Sequence, residues 1–256
     1  MALLDVANVS IQFGGLKAVS DFNLALEQGE LVAIIGPNGA GKTTAFNMIT
    51  GLYKPTTGDI RLNGESLVGL RPNEFTARGI ARTFQNIRLF NEMTVLDNLK
   101  AALTLQAKYS LREALLRTRK FLKIEDEIED RAIEILKILR LDAKIDILAK
   151  NLPYGEQRRL EIARALATNP RILLLDEPVA GMNPNEIEEI IRLIAEIRES
   201  FKLTILLIEH HMNVVMTIAD RIKVLDFGQT IAEGAPDEIQ NNPKVIEAYL
   251  GRRGRK

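Results

Sequence analysis

Nine consecutive residues in the first fifth of the chain have the types and spacing of a phosphate-binding loop. The segment reads Gly36-Pro37-Asn38-Gly39-Ala40-Gly41-Lys42-Thr43-Thr44, which fits the pattern G-x-x-x-x-G-K-[ST]. Small residues let successive backbone N–H groups turn inward and form a nest for anionic oxygens. Lys42 would contact the β- and γ-phosphates, and the Thr43 hydroxyl would be a ligand of Mg²⁺. The segment therefore predicts binding of a nucleoside triphosphate together with magnesium.

The flanks of this loop predict the two elements that such a loop needs. Leu31 to Ile35 form a short apolar run, which is typical of a buried parallel strand. Thr43 to Thr50 predict a helix that ends at Gly51. Unpaired N–H groups and the dipole at the start of that helix favour an anion. The order of strand, loop and helix argues against a chance match by a glycine-rich turn.

Two carboxylates follow a second apolar run, and two histidines follow a third. These residues are Asp176, Glu177, His210 and His211. Ligands of an open α/β sheet bind at the carboxyl ends of its strands, so all four are expected near the phosphate loop. Asp176 would attend Mg²⁺ and Glu177 would be a general base for water, although two carboxylates there could simply cap the next helix. One imidazole could orient Glu177 or contact the γ-phosphate, and spacing leaves open which histidine does so.

The elements that must position these residues differ between the two halves of the chain. Strand and helix patterns alternate through the second half, which predicts an α/β fold with a mainly parallel sheet. Near the N-terminus, Val9, Ile11 and Phe13 alternate with polar residues and stop at Gly14-Gly15, which predicts antiparallel strands. Asn63-Gly64 is a hairpin turn signal. We therefore expect a small antiparallel sheet beside the parallel core. Phe13 could stack on an adenine ring, or it could be a core or edge residue that fills a gap.

The region between the two halves is predicted to be helical. Its apolar residues from position 128 to 139 recur at helical spacing, and Leu152 to Asn169 predict a further helix that stops before Pro170. A basic cluster lies in this region, and it is interpreted as a solvated helix face, with nucleic acid or lipid headgroups as the alternative. The cluster comprises Arg112, Arg117, Arg119, Lys120 and Lys123.

The composition of the chain excludes several further classes of function. The 256 residues contain 34 Lys and Arg and 34 Asp and Glu, so no basic field for nucleic acid is present and no nucleic-acid partner is expected. The sequence has no Cys, which excludes disulfides, thiolate metal sites and a Cys nucleophile. No secretory signal is evident, and no apolar run approaches the roughly 18 residues of a membrane span. A membrane role is therefore expected only through a partner.

Five motifs in one order resemble those of ABC-type ATPases, and the resemblance covers nearly the whole chain. They are the phosphate loop and the segments Thr83 to Asn86, Leu152 to Arg158, Leu173 to Pro178 and Ile208 to His210. The resemblance implies a phosphate-loop NTPase core with an antiparallel β subdomain and an inserted helical subdomain, all within one ABC ATPase domain. The core would span 1–87 and 168–256, and the helical subdomain 88–167.

The resemblance also implies ATP and Mg²⁺ as cofactors and gives roles to individual residues. Gln85 resembles the glutamine that meets Mg²⁺ and the attacking water and that senses a transmembrane partner. His210 resembles the switch histidine, because His211 stands where the family usually has aspartate. Phe13 resembles the aromatic residue that stacks on adenine. Leu152 to Gln157 resemble the signature motif, in which Tyr154, Gly155 and Glu156 would reach the nucleotide of an opposing subunit.

Finer motifs are similar to the ATPases of branched-chain amino-acid importers. These are residues 81–90, 154–164, 180–184 and 246–251. The similarity implies an ATP-hydrolysing subunit at the cytoplasmic face of the membrane, paired as a homodimer or with a paralogue and bound to transmembrane permease subunits. The alternatives are the ATPase of another ABC transporter, a soluble ABC ATPase that serves assembly or nucleic-acid processes, and a nucleotide-binding module without hydrolysis.

Three positions depart from the family pattern. The signature serine is Pro153 here, and Tyr154 replaces the first signature glycine. Proline has neither a hydroxyl nor an N–H group, so we expect weaker contact with the phosphate held by the opposing subunit. Asn183 replaces the usual aspartate in the loop after the second carboxylate, which also fits the importer subfamily.

Overall fold

The computed structural model describes residues 2–250, which fall into two units. The first unit contains the described residues up to Arg82 and those from Arg171 onward, and the second unit is Thr83–Pro170. The strands are Leu4–Phe13 (β1), Leu16–Leu26 (β2), Leu31–Ile35 (β3), Thr57–Leu62 (β4), Glu65–Ser66 (β5), Ile80–Arg82 (β6), Ile172–Asp176 (β7), Thr204–Ile208 (β8), Arg221–Asp226 (β9) and Gln229–Gly234 (β10). The helices are Lys42–Ile49 (α1), Pro72–Ala77 (α2), Val95–Leu103 (α3), Leu111–Leu115 (α4), Arg119–Ile138 (α5), Tyr154–Ala167 (α6), Pro184–Phe201 (α7), Met212–Ile218 (α8), Pro236–Gln240 (α9) and Pro243–Leu250 (α10).

The first unit contains both sheets. One is antiparallel with the strand order β2-β1-β4-β5, and the other has the order β10-β9-β3-β8-β7-β6. In the second sheet every neighbouring pair is parallel except β10 with β9. The predicted hairpin joins β4 to β5, where Asn63 and Gly64 have φ of 50° and 84°, the left-handed values that a type I′ turn requires. The predicted α/β fold with an added antiparallel sheet is confirmed.

The central parallel strands are continuous apolar runs, as expected of strands that are buried on both faces. Every residue of β3, β7 and β8 is buried. Helix α7 buries Ile190, Leu193, Ile194 and Ile197 on one face. Its first residue follows Asn183, whose side chain accepts hydrogen bonds from the backbone N–H groups of residues 185 and 186. The asparagine that replaces the usual aspartate therefore acts as an N-cap.

The second unit is helical, as its spacing predicts, but two boundaries differ from the prediction. The dense segment from Leu111 to Ile124 contains two helices, because the chain turns at Arg117, which has φ 46°. The helix predicted from Leu152 begins only at Tyr154 and ends at Ala167. Pro153 has ψ 153° and is the residue before the first turn, so it is the N-cap rather than a first-turn residue.

The basic cluster of the second unit is exposed in all five of its members. Two of them form ion pairs, Lys120 with Glu113 at 2.8 Å and Lys123 with Glu127 at 3.7 Å. These contacts agree with the interpretation of a solvated face. None of the helices within residues 2–250 has the length and apolar character that crossing a bilayer requires.

Candidate functional site

The carboxyl ends of three adjacent parallel strands bring the predicted residues of the first unit to one edge of the sheet. In the register of the sheet, Ile208 of β8 lies opposite both Ile34 of β3 and Asp176 of β7. The phosphate loop, Glu177 and His210 follow these positions along the chain. Neighbouring strands lie about 4.8 Å apart, so the expected convergence of the three chain segments is confirmed.

The phosphate loop depends on glycine at both of its ends. Gly36 has φ 148°, and a Cβ there would lie 2.0 Å from the carbonyl oxygen of Leu225. Gly41 has φ 99° and is the N-cap of α1. Between them, Pro37 and Ala40 are buried whereas Asn38 and Gly39 are exposed; after them, Thr43 is exposed and Thr44 is half-buried. The exposed part of the loop is therefore accessible to an anion.

Lys42 is buried, with 7% of its surface exposed. Its Nζ donates hydrogen bonds to the carbonyl oxygens of Gly36, at 2.7 Å, and Pro37, at 3.1 Å. The ammonium group is therefore held inside the curve of the loop, on the side where phosphate oxygens are expected.

Asp176 and Glu177 are consecutive, yet both remain at the sheet edge. Asp176 is the last residue of β7 and is 3% exposed. Glu177 has φ 48°, a left-handed value that is uncommon outside glycine and costs on the order of 1–3 kcal/mol. Its backbone N–H donates to the carbonyl oxygen of Ile208 at 2.9 Å. The strand alternation stops at this turn, so the Glu177 side chain is not obliged to enter the opposite face of the sheet.

The two histidines have different positions. His210 Nδ1 lies 3.6 Å from Glu177 Oε1, and His211 is the N-cap residue of α8. Their rings are 4.4 Å apart. The buried Glu209 carboxylate accepts hydrogen bonds from the N–H groups of both histidines and of Val179. The side chains of Glu209, His210 and His211 lie close enough to share a metal ion, but the hydrogen bonds of Glu209 give it a structural role. The contact with Glu177 favours His210, rather than His211, as the imidazole that orients Glu177 or contacts the γ-phosphate.

Phe13 ends β1 with 46% of its surface exposed. Its ring meets the ring of Tyr53 edge to face, with centroids 5.3 Å apart. The exposure does not fit the alternative in which Phe13 fills a gap in the core.

Arg82 is a residue to which sequence reasoning gave no role. It ends β6, and its Nη2 donates to Asp176 Oδ2 at 2.7 Å. The two side chains are 7% and 5% exposed. A signal was present, because a carboxylate buried at a strand end needs a counter-charge, but the sequence does not say which cation supplies it.

Gln85 lies in the second unit, in a segment that is bonded to α6. Arg158 is completely buried and donates to the carbonyl oxygens of Phe84, at 2.6 Å, and Gln85, at 2.8 Å. It also donates to Glu161 Oε2 at 2.7 Å. Glu161 Oε1 in turn accepts from the N–H groups of Phe84, at 3.2 Å, and Arg88, at 3.3 Å. Burial raises the pKa of the Glu161 carboxyl, and the Arg158 guanidinium opposes that rise.

The signature segment opens α6. Pro153 makes no side-chain cap, and its carbonyl oxygen accepts from the N–H groups of Glu156 and Gln157, both at 3.0 Å. The Glu156 carboxylate is paired with Lys144 at 2.6 Å. Tyr154 is exposed and Gly155 is half-buried. Backbone hydrogen bonds, rather than a side-chain hydroxyl, therefore stabilise the first turn of α6.

A parallel sheet with a phosphate loop after one strand and two carboxylates at the end of another defines the class of phosphate-loop nucleoside triphosphatases. A family model described as ABC transporter matches residues 19–180, and one described as branched-chain amino acid ATP-binding cassette transporter matches residues 229–254. The chain belongs to the ABC transporter family and is an ATPase of that family.

Similar proteins of known name or structure agree with this membership. The high-affinity branched-chain amino acid transport ATP-binding protein LivG of Escherichia coli K12 is 51% identical over 249 residues, which cover 97% of this chain and 98% of LivG. A nucleotide-free ATP-binding cassette from an ABC transporter superposes with a TM-score of 0.84 at 35% identity, covering 98% and 100% of the two chains. A dimeric post-hydrolysis cassette bound to ADP and Pi superposes with a TM-score of 0.76 at 29% identity, covering 91% of this chain and 98% of that one.

Proposed function

We propose that this chain is the ATP-hydrolysing subunit that powers a branched-chain amino-acid importer from the cytoplasmic face of the inner or plasma membrane. The observation that carries the proposal is the 51% identity with LivG across nearly the full length of both chains. Permease subunits would anchor the protein to the membrane and contact the cargo. Because no cargo site lies in an ATPase subunit of this kind, the choice of amino acid rests on the relatives.

The residues of the first unit fit ATP and Mg²⁺. Thr43 and Asp176 offer hydroxyl and carboxylate oxygens, the hard ligands that Mg²⁺ prefers, and Gln85 would add an amide oxygen. The loop from Gly36 to Thr44 supplies the N–H nest, and Lys42 supplies a positive charge. Bound Mg²⁺ would neutralise charge on the β- and γ-phosphates.

The chain's own residues would carry out hydrolysis in defined roles. Glu177 would accept a proton from the attacking water. His210, 3.6 Å from the Glu177 carboxylate, would hold the base and the γ-phosphate in their mutual geometry. Gln85 would report nucleotide state to the permease, since its segment is hydrogen-bonded to the signature helix through Arg158.

Two such subunits, identical or paralogous, would close head to tail around two ATP molecules. Tyr154, Gly155 and Glu156 at the start of α6 would then approach the nucleotide of the opposing subunit. A helix N-terminus favours an anion, so the backbone near Gly155 would supply the contact that a signature serine gives in other members of the family.

Restoring serine at the signature position should strengthen dimer closure. A serine N-cap can accept a hydrogen bond within α6 and offers a hydroxyl to the opposing phosphate, whereas Pro153 does neither. We expect Pro153→Ser to tighten ATP-dependent dimerisation about fivefold, equivalent to roughly 1 kcal/mol for one added hydrogen bond. Analytical ultracentrifugation with Mg-ATP in a Glu177→Gln background measures this. Unchanged dimerisation would contradict the proposal that Pro153 weakens the contact with the opposing phosphate.

Removing the Phe13 ring should weaken nucleotide binding. Stacking of an aromatic ring on a base is worth about 1–3 kcal/mol, so Phe13→Ala should raise the Kd for ATP between about fivefold and 150-fold. Leu16→Ala is the matched control, because Leu16 is 70% exposed on the other side of the same turn. Equal ATP affinity of the two variants would exclude stacking of Phe13 on adenine and would leave Phe13 only its packing contact with Tyr53.

Isolation of the native complex tests the proposed function. Solubilised membranes should yield this chain together with polytopic permease subunits, and proteoliposomes of the complex should take up radiolabelled leucine with ATP but not without it. The matched complex that carries Glu177→Gln should take up none. Recovery of the chain without any membrane subunit would favour the soluble ABC ATPase, and uptake of a different solute would favour another importer.

A further inference from the structure

We infer that Arg82 is a positioning residue that fixes the carboxylate of Asp176 relative to the phosphate-loop helix α1. The inference rests on the proposed function, in which Asp176 attends Mg²⁺. Arg82, Asp176 and α1 all belong to the first unit, and their mutual contacts are described below.

Arg82 joins the end of one strand to the end of another and to a helix. Its Nη2 donates to Asp176 Oδ2 at 2.7 Å. Its Nη1 donates to Asn47 Oδ1 at 2.6 Å and lies 3.3 Å from Thr50 Oγ1. The guanidinium also lies 5.5 Å from the centroid of the Phe46 ring. The contacts therefore include two acceptors on α1 and its C-cap and one on β7.

The chemistry of these contacts favours arginine over any other cation. A planar guanidinium presents several donors in fixed directions, whereas the lysine ammonium is a single point charge on a flexible stem. The acceptors of Arg82 lie on separate elements, so the single nitrogen atom of a lysine would not reach all of them at the same hydrogen-bond distances. Because Asp176 is buried, its charge also needs a partner close by.

The consequence is a carboxylate with a fixed orientation. The bond from Oδ2 to Arg82 restrains rotation of the Asp176 carboxylate. The bond from Nη1 to Asn47 ties the same guanidinium to α1, whose second residue is Thr43. The two oxygen donors proposed for Mg²⁺, on Thr43 and Asp176, are thereby linked through one side chain. Mg²⁺ demands near-ideal octahedral geometry, so a small rotation of the carboxylate should matter.

Arg82→Lys tests the orientation of the Asp176 carboxylate separately from charge, because lysine keeps the positive charge and loses the planar set of guanidinium donors. Groups that orient a metal ligand typically contribute 10–100-fold to metal affinity or activity. We expect kcat for Mg-ATP to fall by about that factor. In a Glu177→Gln background, the factor by which Mg²⁺ tightens ATP binding should fall at least about tenfold, while the Kd for ATP in EDTA stays within about twofold of the parent. Equilibrium binding of ATP with and without Mg²⁺ gives both values.

Two further variants keep the test decisive. Arg78→Lys is the matched control, since Arg78 is exposed two residues before β6, and it should change none of these quantities. Asn47→Ala removes one hydrogen-bond acceptor of the guanidinium and leaves the ion pair with Asp176. It should lower kcat about threefold to tenfold. This variant tests the positioning role of Arg82 even if Arg82→Lys does not fold.

Three results would overturn the inference. They are an unchanged Mg²⁺ effect on ATP binding in Arg82→Lys, an unchanged kcat in both Arg82→Lys and Asn47→Ala, or a parallel loss of ATP affinity in EDTA, which would make Arg82 a purely structural residue. Failure of the proposed function is distinguishable, because it would appear as missing turnover or missing leucine uptake in the unsubstituted protein.

Discussion

Replacing Glu177 with glutamine should lower steady-state ATP hydrolysis by about 10²–10⁴-fold, the usual contribution of a general base, and should leave the Kd for ATP within about twofold. Glutamine has nearly the same shape but does not accept a proton at neutral pH. Phosphate release measured with the permease partners present, together with equilibrium ATP binding, separates the two effects.

The local structure makes this substitution a clean one. Glu177 adopts φ 48°, and glutamine meets the same backbone cost there, so the thermal midpoint of unfolding should stay unchanged. Glu188→Gln is the matched control, because Glu188 is exposed on α7 and pairs only loosely with Arg192 at 3.8 Å. Retained turnover in Glu177→Gln with a normal fold would remove Glu177 from the mechanism and favour direct activation of water by another group.

The second large effect is expected on stability. Arg158→Met should lower the free energy of unfolding of the second unit by about 3–5 kcal/mol, because removing one partner of a buried ion pair leaves the other charge uncompensated. Here the loss would remove the guanidinium that pairs with Glu161 and that donates to the carbonyl oxygens of Phe84 and Gln85. Urea unfolding measures the total, and hydrogen exchange should show lost protection at the N–H groups of Phe84 and Arg88.

The adjacent arginine provides the control for that experiment. Arg159 is half-buried on the same helix, and Arg159→Met should change stability by no more than about 0.5 kcal/mol, as is usual for surface substitutions. If Arg158→Met unfolds at the same urea concentration as Arg159→Met, the network from Arg158 to the Gln85 segment contributes no net stability.

The sequence by itself determined the class of fold and the chain segments that meet at the candidate nucleotide site. Continuous aliphatic runs identify β3, β7 and β8, since only strands buried on both faces tolerate them. The residues that follow such runs must meet at one edge of a parallel sheet, which is why the phosphate loop, Asp176 and Glu177 could be grouped before any coordinates. The phosphate loop could be recognised because its chemistry is local and fixed by adjacent residue types.

Only the tertiary structure decided which distant groups are partners. The pairing of Arg82 with Asp176 joins residues 94 positions apart, and that of Arg158 with Gln85 spans 73 positions; no local pattern encodes either. The nearness of His210 to Glu177 likewise depends on the turn that the buried Glu209 holds. Periodicity reports which face of an element is buried, whereas the partner of a buried charge is set by how separate elements pack, and that information exists only in three dimensions.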